Sequence, residues 1–256
     1  SDWIKKHGDG VRDIAFSVKD VDNCFKSAME RGAFKNEEPN VHSDENGKYS
    51  CASIKTYGDV IHSFIDDSEY KGIWAPNYQK LNLPDIKYYD TSLVLVDHVV
   101  GNVEWDKMDY WREYYEKVFG FSTFVRFDEG DISTQYSALK SIVLRSKNWK
   151  IKLPINEPAQ GLKKSQIEEY LQFNEGAGVQ HIAILTDNII SSISALRKNG
   201  VEFLNIPDNY YNDLKDRVGF IDEDINKLRE LNILVDRDES GYLLQIFTKP
   251  MQDRPT

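Results

Sequence analysis

Apolar residues fall along this chain in short runs separated by glycine, asparagine and aspartate, which predicts short strands and amphipathic helices. Residues 11–18 read as a strand. Asp20 is a candidate N-cap, and Val21, Phe25, Ala28 and Met29 form a helical apolar stripe that ends at Gly32. Residues 49–57 and 60–65 read as two strands around Tyr57-Gly58-Asp59, and residues 67–90, with Pro76 and Pro84, as a linker. A strand at 93–100 then leads to a helix over 105–118. Trp105, Met108, Trp111, Tyr115 and Val118 line one side of it, and Gly120 closes it. Strands are expected at 121–128, 136–145 and 149–154. A short helix follows at 165–173, a strand from Gly178 to Ile184, and a helix at 188–199 ended by Gly200. An acidic helix at 221–231 precedes strands at 232–238 and 242–248, joined through Glu239-Ser240-Gly241.

Part of this pattern is duplicated. Gly10-Val11-Arg12-Asp13-Ile14-Ala15 aligns with Gly178-Val179-Gln180-His181-Ile182-Ala183 at an offset of 168 residues, which also carries Gly32 onto Gly200. Gly58-Asp59-Val60-Ile61-His62-Ser63-Phe64 aligns with Gly241-Tyr242-Leu243-Leu244-Gln245-Ile246-Phe247 at an offset of 183. The 15 additional residues of the second copy fit the inserted helix at 221–231. The expected class is α+β, with repeated β-α-β-β-β units building open, curved, half-barrel mixed sheets around a cavity.

Composition narrows the function. The chain has 256 residues, 40% hydrophobic and 29% charged, as in an ordinary globular protein. A formal net charge of -10 argues against nucleic acid or an anionic membrane as partner. No apolar run approaches the roughly 20 residues a membrane span needs. Two cysteines, Cys24 and Cys51, build neither a disulfide framework nor a cysteine-based zinc site, so a reducing cytoplasm is the expected location.

The candidate chemistry lies in two histidines, each alone inside an apolar strand: His98 in Leu93–Val100 and His181 in Gly178–Ile184. Two readings stay open on these residues alone. One is a pair of hydrogen-bonded core histidines; the other is two ligands from paired strands converging on one metal. The repeat favours a metal in one copy and none in the other, because Asp13 stands where the second copy has His181, and His62 where it has Gln245. His7, His42 and His62 receive no ligand role.

Several strings in order then carry a resemblance. They are Asp97-His98-Val99-Val100-Gly101-Asn102-Val103, Leu153-Pro154-Ile155-Asn156-Glu157-Pro158, Asn174-Glu175-Gly176-Ala177-Gly178-Val179-Gln180-His181, Leu234-Val235-Asp236-Arg237-Asp238, and Leu243-Leu244-Gln245-Ile246-Phe247-Thr248-Lys249-Pro250. Together they resemble the 4-hydroxyphenylpyruvate dioxygenase family, of the vicinal-oxygen-chelate, glyoxalase-like fold, over nearly the whole chain. The resemblance implies an Fe(II)-dependent oxidoreductase of tyrosine and phenylalanine catabolism. Such an enzyme converts 4-hydroxyphenylpyruvate and O2 to homogentisate and CO2, and the family forms a homodimer or higher homo-oligomer. It implies His98 and His181 as iron ligands, and Ser141, Asn156, Gln166, Gln245 and Phe247 as substrate-pocket residues. It also implies a partial N-terminal domain over 1–90, a metal-free repeat plus linker, and a C-terminal catalytic domain over 91–256 with two paired repeats. The family's first repeat would precede Ser1, and its glutamate ligand and C-terminal helix would follow Thr256. Asp238 and Asp253 do not match the glutamate motif. 4-Hydroxymandelate synthase, which shares the substrate and the iron, and a non-catalytic truncated homologue are the alternatives.

Overall fold

The computed structural model describes residues 2–82, 84, 87–127, 138–161, 163–238 and 241–251. The expected strand ends at 128 and 136–137, the turn residues Glu239 and Ser240, and Asp253 lie outside them. The chain groups into two compact units. One holds Ser1–Asn82 and Asp97–Ala183, the other Leu83–Val96 and Ile184–Asp253. Residues 97–183 share a core with the N-terminal repeat.

The first unit opens with helix α1 (Asp2–His7) and continues as β1 (Phe16–Ser17), α2 (Val21–Glu30), β2 (Phe34–Asp44), β3 (Gly47–Lys55) and β4 (Ile61–Asp66). Asp20 caps α2 as expected, its carboxylate accepting the Asn23 N–H at 2.9 Å. The sheet order is β1-β4-β3-β2, with β1 parallel to β4 and the other pairs antiparallel. The expected strand at 11–18 is shorter. Asp13 makes only an isolated bridge to Ile61, and its carboxylate accepts the Ser63 N–H and hydroxyl at 3.1 and 2.6 Å.

Strand β2 has no counterpart in the sequence reading, and it completes the β-α-β-β-β order of the repeat. It is an edge strand, almost wholly exposed, with charged residues, Pro39, and register shifts on either side of Glu37. These features blunt an exposed edge, and they also erase the alternation that marks a strand.

Then come β5 (Leu93–Asn102), α3 (Met108–Phe119), β6 (Ser122–Phe127), β7 (Ala138–Arg145), β8 (Lys152–Ala159), α4 (Gln166–Phe173) and β9 (Gly178–Thr186). Their sheet order is β6-β7-β8-β5-β9. β7 is antiparallel to β6 and β8, and β5 is parallel to β8 through Gly101↔Ile155 and Asn102↔Asn156. Strand β8 lies later than the expected 149–154. Trp149 occupies a tight turn at φ 63°, and the Ser146 hydroxyl accepts the Ile151 N–H there.

Helix α3 also begins later than expected, with Trp105 exposed. Lys107 provides no side-chain cap. Instead the buried Glu157 carboxylate accepts the Met108 N–H at 2.9 Å and pairs with Lys140 at 3.1 Å. A distant strand thus supplies the anion that a helix N-terminus favours. Gly120 closes α3 at φ 68°, as expected.

The core of this unit joins α2, α3 and both sheets through Ala28, Ile54, Met108, Tyr115, Ile142 and Ile155. His62 is wholly buried within it. Its Nδ1 faces the Ile14 carbonyl at 3.0 Å, which only accepts, so Nδ1 carries the proton. Its Nε2 then accepts from the Tyr115 hydroxyl at 2.7 Å, which in turn accepts from Thr56 at 2.8 Å. Burial holds the His62 imidazole down at about 4. Gly101 packs on Tyr57, and a Cβ there would stand 2.5 Å from the phenol oxygen.

The second unit contains α5 (Ile189–Lys198), a 3-10 turn at Asp208–Tyr211, α6 (Leu214–Val218), α7 (Ile225–Leu231), and the antiparallel pair β10 (Leu234–Asp238) and β11 (Gly241–Gln245). Asn188 caps α5 by accepting the Ser191 N–H at 3.0 Å, and Asp224 caps α7 by accepting the Asn226 N–H at 2.9 Å. Its core is built on Phe203, Leu214, Leu228, Ile233 and Val235. The expected strand at 242–248 stops at Gln245, and Thr248 makes only an isolated bridge to Phe203. The fold is α+β with open mixed sheets, as expected. Among the described residues no helix is long and apolar enough to cross a membrane.

Two stability measurements check this packing. Gly101→Ala is expected to lower the unfolding free energy by about 1–3 kcal/mol in urea titration, through overpacking against Tyr57. His62 titrates lower folded than unfolded, so its contribution is complete above pH 6.5 and is lost as pH falls toward 4. The expected loss is roughly 3 kcal/mol. His62→Gln is expected to flatten the stability slope between those pH values relative to wild type.

Candidate metal centre

β5 and β9 are neighbours in the five-stranded sheet, and each carries one histidine. The rings of His98 and His181 meet edge to face, with centroids 5.9 Å apart and planes at 74°. A nitrogen ligand binds its metal at about 2.1 Å, which puts an imidazole centroid about 3 Å from the ion. Two centroids 5.9 Å apart therefore lie within reach of a single ion.

Both rings are oriented by the residue just before them. His98 Nδ1–H donates to Asp97 Oδ2 at 2.8 Å, and Lys152 Nζ donates to the other carboxylate oxygen at 2.6 Å. His181 Nδ1 donates to Gln180 Oε1 at 2.9 Å. In each case Nδ1 is engaged by the preceding side chain. Burial raises the Asp97 carboxyl, but the hydrogen bonds from His98 and Lys152 outweigh it and hold the group below the ordinary carboxylate range. Burial, aided by the neighbouring His98, pushes His181 down to about 4. His181 is therefore neutral near pH 7, the form in which imidazole binds metal.

The donor set fits two positions of an iron-type site built from imidazoles and a carboxylate. Among the described residues no group of three or more His, Cys, Asp or Glu side chains is arranged to hold a metal. The remaining histidines serve elsewhere. His42 is exposed on β2 and His62 belongs to the core. His7 is buried between the Asn174 carbonyl and Asp59, 2.8 Å from each.

Ser141 and Asn156 are direct partners across β7 and β8, and Asn156 is the direct partner of Asn102 on β5. All three are buried. Strand alternation puts Asn102 on the face of β5 that carries His98. Asn156 Nδ2 lies 3.5 Å from Asn102 Oδ1, and Asn102 Nδ2 has no hydrogen-bond partner among the described residues. Gln166 is the exposed first residue of α4, next to the N-cap Ser165. Gln245 and Phe247 lie in the second unit. Gln245 Nε2 donates to Asp236 at 2.6 Å, and the Phe247 carbonyl accepts the Leu204 N–H at 2.9 Å.

Asp97, Gln180 and Asn102 were not singled out in the sequence. The available signal was a side-chain oxygen immediately before each histidine, and a lone amide four residues past His98 on the same face.

The model of the Glyoxalase/Bleomycin resistance protein/Dioxygenase superfamily matches residues 95–246. The 4-hydroxyphenylpyruvate dioxygenase of Aspergillus fumigatus is 47% identical over 99% of this chain and 65% of its own length. That of Dictyostelium discoideum is 46% identical over the whole chain and 72% of its own length. The chain thus spans about two thirds of the length of these relatives. A solved mutant of 4-hydroxymandelate synthase from Streptomyces coelicolor is 30% identical, with a TM-score of 0.79 over the whole of this chain and 71% of that one. The chain belongs to the glyoxalase/bleomycin resistance protein/dioxygenase superfamily and, within it, to the 4-hydroxyphenylpyruvate dioxygenase family.

Proposed function

We propose that the protein is an Fe(II)-dependent dioxygenase that converts 4-hydroxyphenylpyruvate and O2 to homogentisate and CO2. The observation that carries this reading is the meeting of His98 and His181 at 5.9 Å, each with Nδ1 already engaged. A ferrous ion, when bound, would supply the redox centre at which dioxygen is activated, with the electrons furnished by oxidative decarboxylation of the 2-oxo acid and by hydroxylation of the ring. The chain's own residues do the rest. His98 and His181 hold the ion through Nε2. Ser141 and Asn156, adjacent across two strands, offer an uncharged hydroxyl and amide to the polar ends of the substrate without competing for the ion. Gln166, Gln245 and Phe247 have a substrate role on the family resemblance alone. The two cysteines are free, in keeping with a cytoplasmic enzyme, and the family resemblance supports a homo-oligomer.

Identity favours the ring-hydroxylated product, at 46–47% to the dioxygenases above against 30% to the mandelate-forming synthase. The test is to incubate the full-length protein with ferrous iron, 4-hydroxyphenylpyruvate and oxygen and to identify the product. Homogentisate with one CO2 is expected. 4-Hydroxymandelate would reassign the chain to the synthase reaction, and no product would favour a non-catalytic homologue. His181→Ala is expected to remove iron and turnover while keeping the fold, and unchanged iron content would refute its ligand role.

A further inference from the structure

We propose that Asp97, clamped by Lys152, is the positioning residue for His98, and that the two candidate metal ligands are deliberately unequal. The inference rests on the metal reading above. Consecutive residues on a strand point to opposite faces, so a carboxylate beside a histidine does not by default reach its ring. Here it does, because Lys152 of β8 anchors one oxygen at 2.6 Å while the other accepts the His98 Nδ1–H at 2.8 Å. Both oxygens are thereby engaged, which keeps this nearby carboxylate as an outer partner of His98 instead of a direct ligand. A carboxylate behind a metal-binding imidazole fixes its tautomer and strengthens its donor nitrogen. At His181 the acceptor facing Nδ1 is the neutral Gln180 oxygen. His98 is therefore the better-supported and stronger ligand of the two.

Two readouts test this. In the metal-free protein, nitrogen-15 correlation spectra of histidine report the tautomer directly. His98 is expected as the Nδ1–H form in wild type and in Asp97→Asn, whose amide oxygen still accepts. Asp97→Ala is expected to shift it toward Nε2–H. In ferrous-iron titrations of the full-length protein, Asp97→Ala is expected to raise the iron Kd by about 10–100-fold. Asp97→Asn and Lys152→Met are expected to raise it less. An Asp97→Ala variant that is folded by circular dichroism, keeps the wild-type tautomer and binds iron within twofold of wild type would overturn the proposal. A wild type that binds no iron would sink the metal reading, and the tautomer spectra would still decide the role of Asp97.

Discussion

The structure turns on one constraint: two imidazoles must be held within reach of the same point. Neither histidine does this alone. His98 depends on β5, and β5 is fixed to β8 by a short parallel ladder at Gly101 and Asn102. That ladder needs Gly101, because the Tyr57 ring occupies the space of a side chain. His181 depends on β9 lying beside β5. Burial then keeps His181 uncharged, the form that offers nitrogen lone pairs to a metal.

Helix α3 links this sheet to the N-terminal repeat. Its aromatic face closes over His62, Phe16 and Phe121, so the repeat without either candidate ligand serves as a packing partner for the repeat that carries His98. His62 shows how the same residue type takes different work in different places. Fully enclosed, with an acceptor on one nitrogen and a donor on the other, it is a satisfied core residue. His98 has one nitrogen engaged by Asp97 and the other without a hydrogen bond among the described residues, which is the arrangement of a ligand.

Much of this was readable in the chain. Helix α2 follows the cap read at Asp20, because a cap is a local hydrogen bond between residues two or three apart, and α4 and α5 begin within one residue of their expected starts. The two candidate ligands stood out because polar groups inside apolar strands need a reason. What escaped was set by distant partners. The start of α3 is fixed by Glu157, nearly fifty residues away, beyond the reach of any local cap signal. Strand β2 is an edge whose protective charges hide its period. Asp97 owes its orientation to Lys152, 55 residues away on another strand.

The convergence of the two imidazoles is tested most directly by proton NMR of the full-length protein with cobalt(II) in place of iron. Imidazole N–H protons of metal-bound histidines are then shifted far outside the ordinary range and exchange with water. Two such resonances are expected, and neither is expected to survive in His98→Ala or in His181→Ala, which lose the metal. A spectrum with no shifted exchangeable resonance, or with resonances that survive both substitutions, would contradict the account.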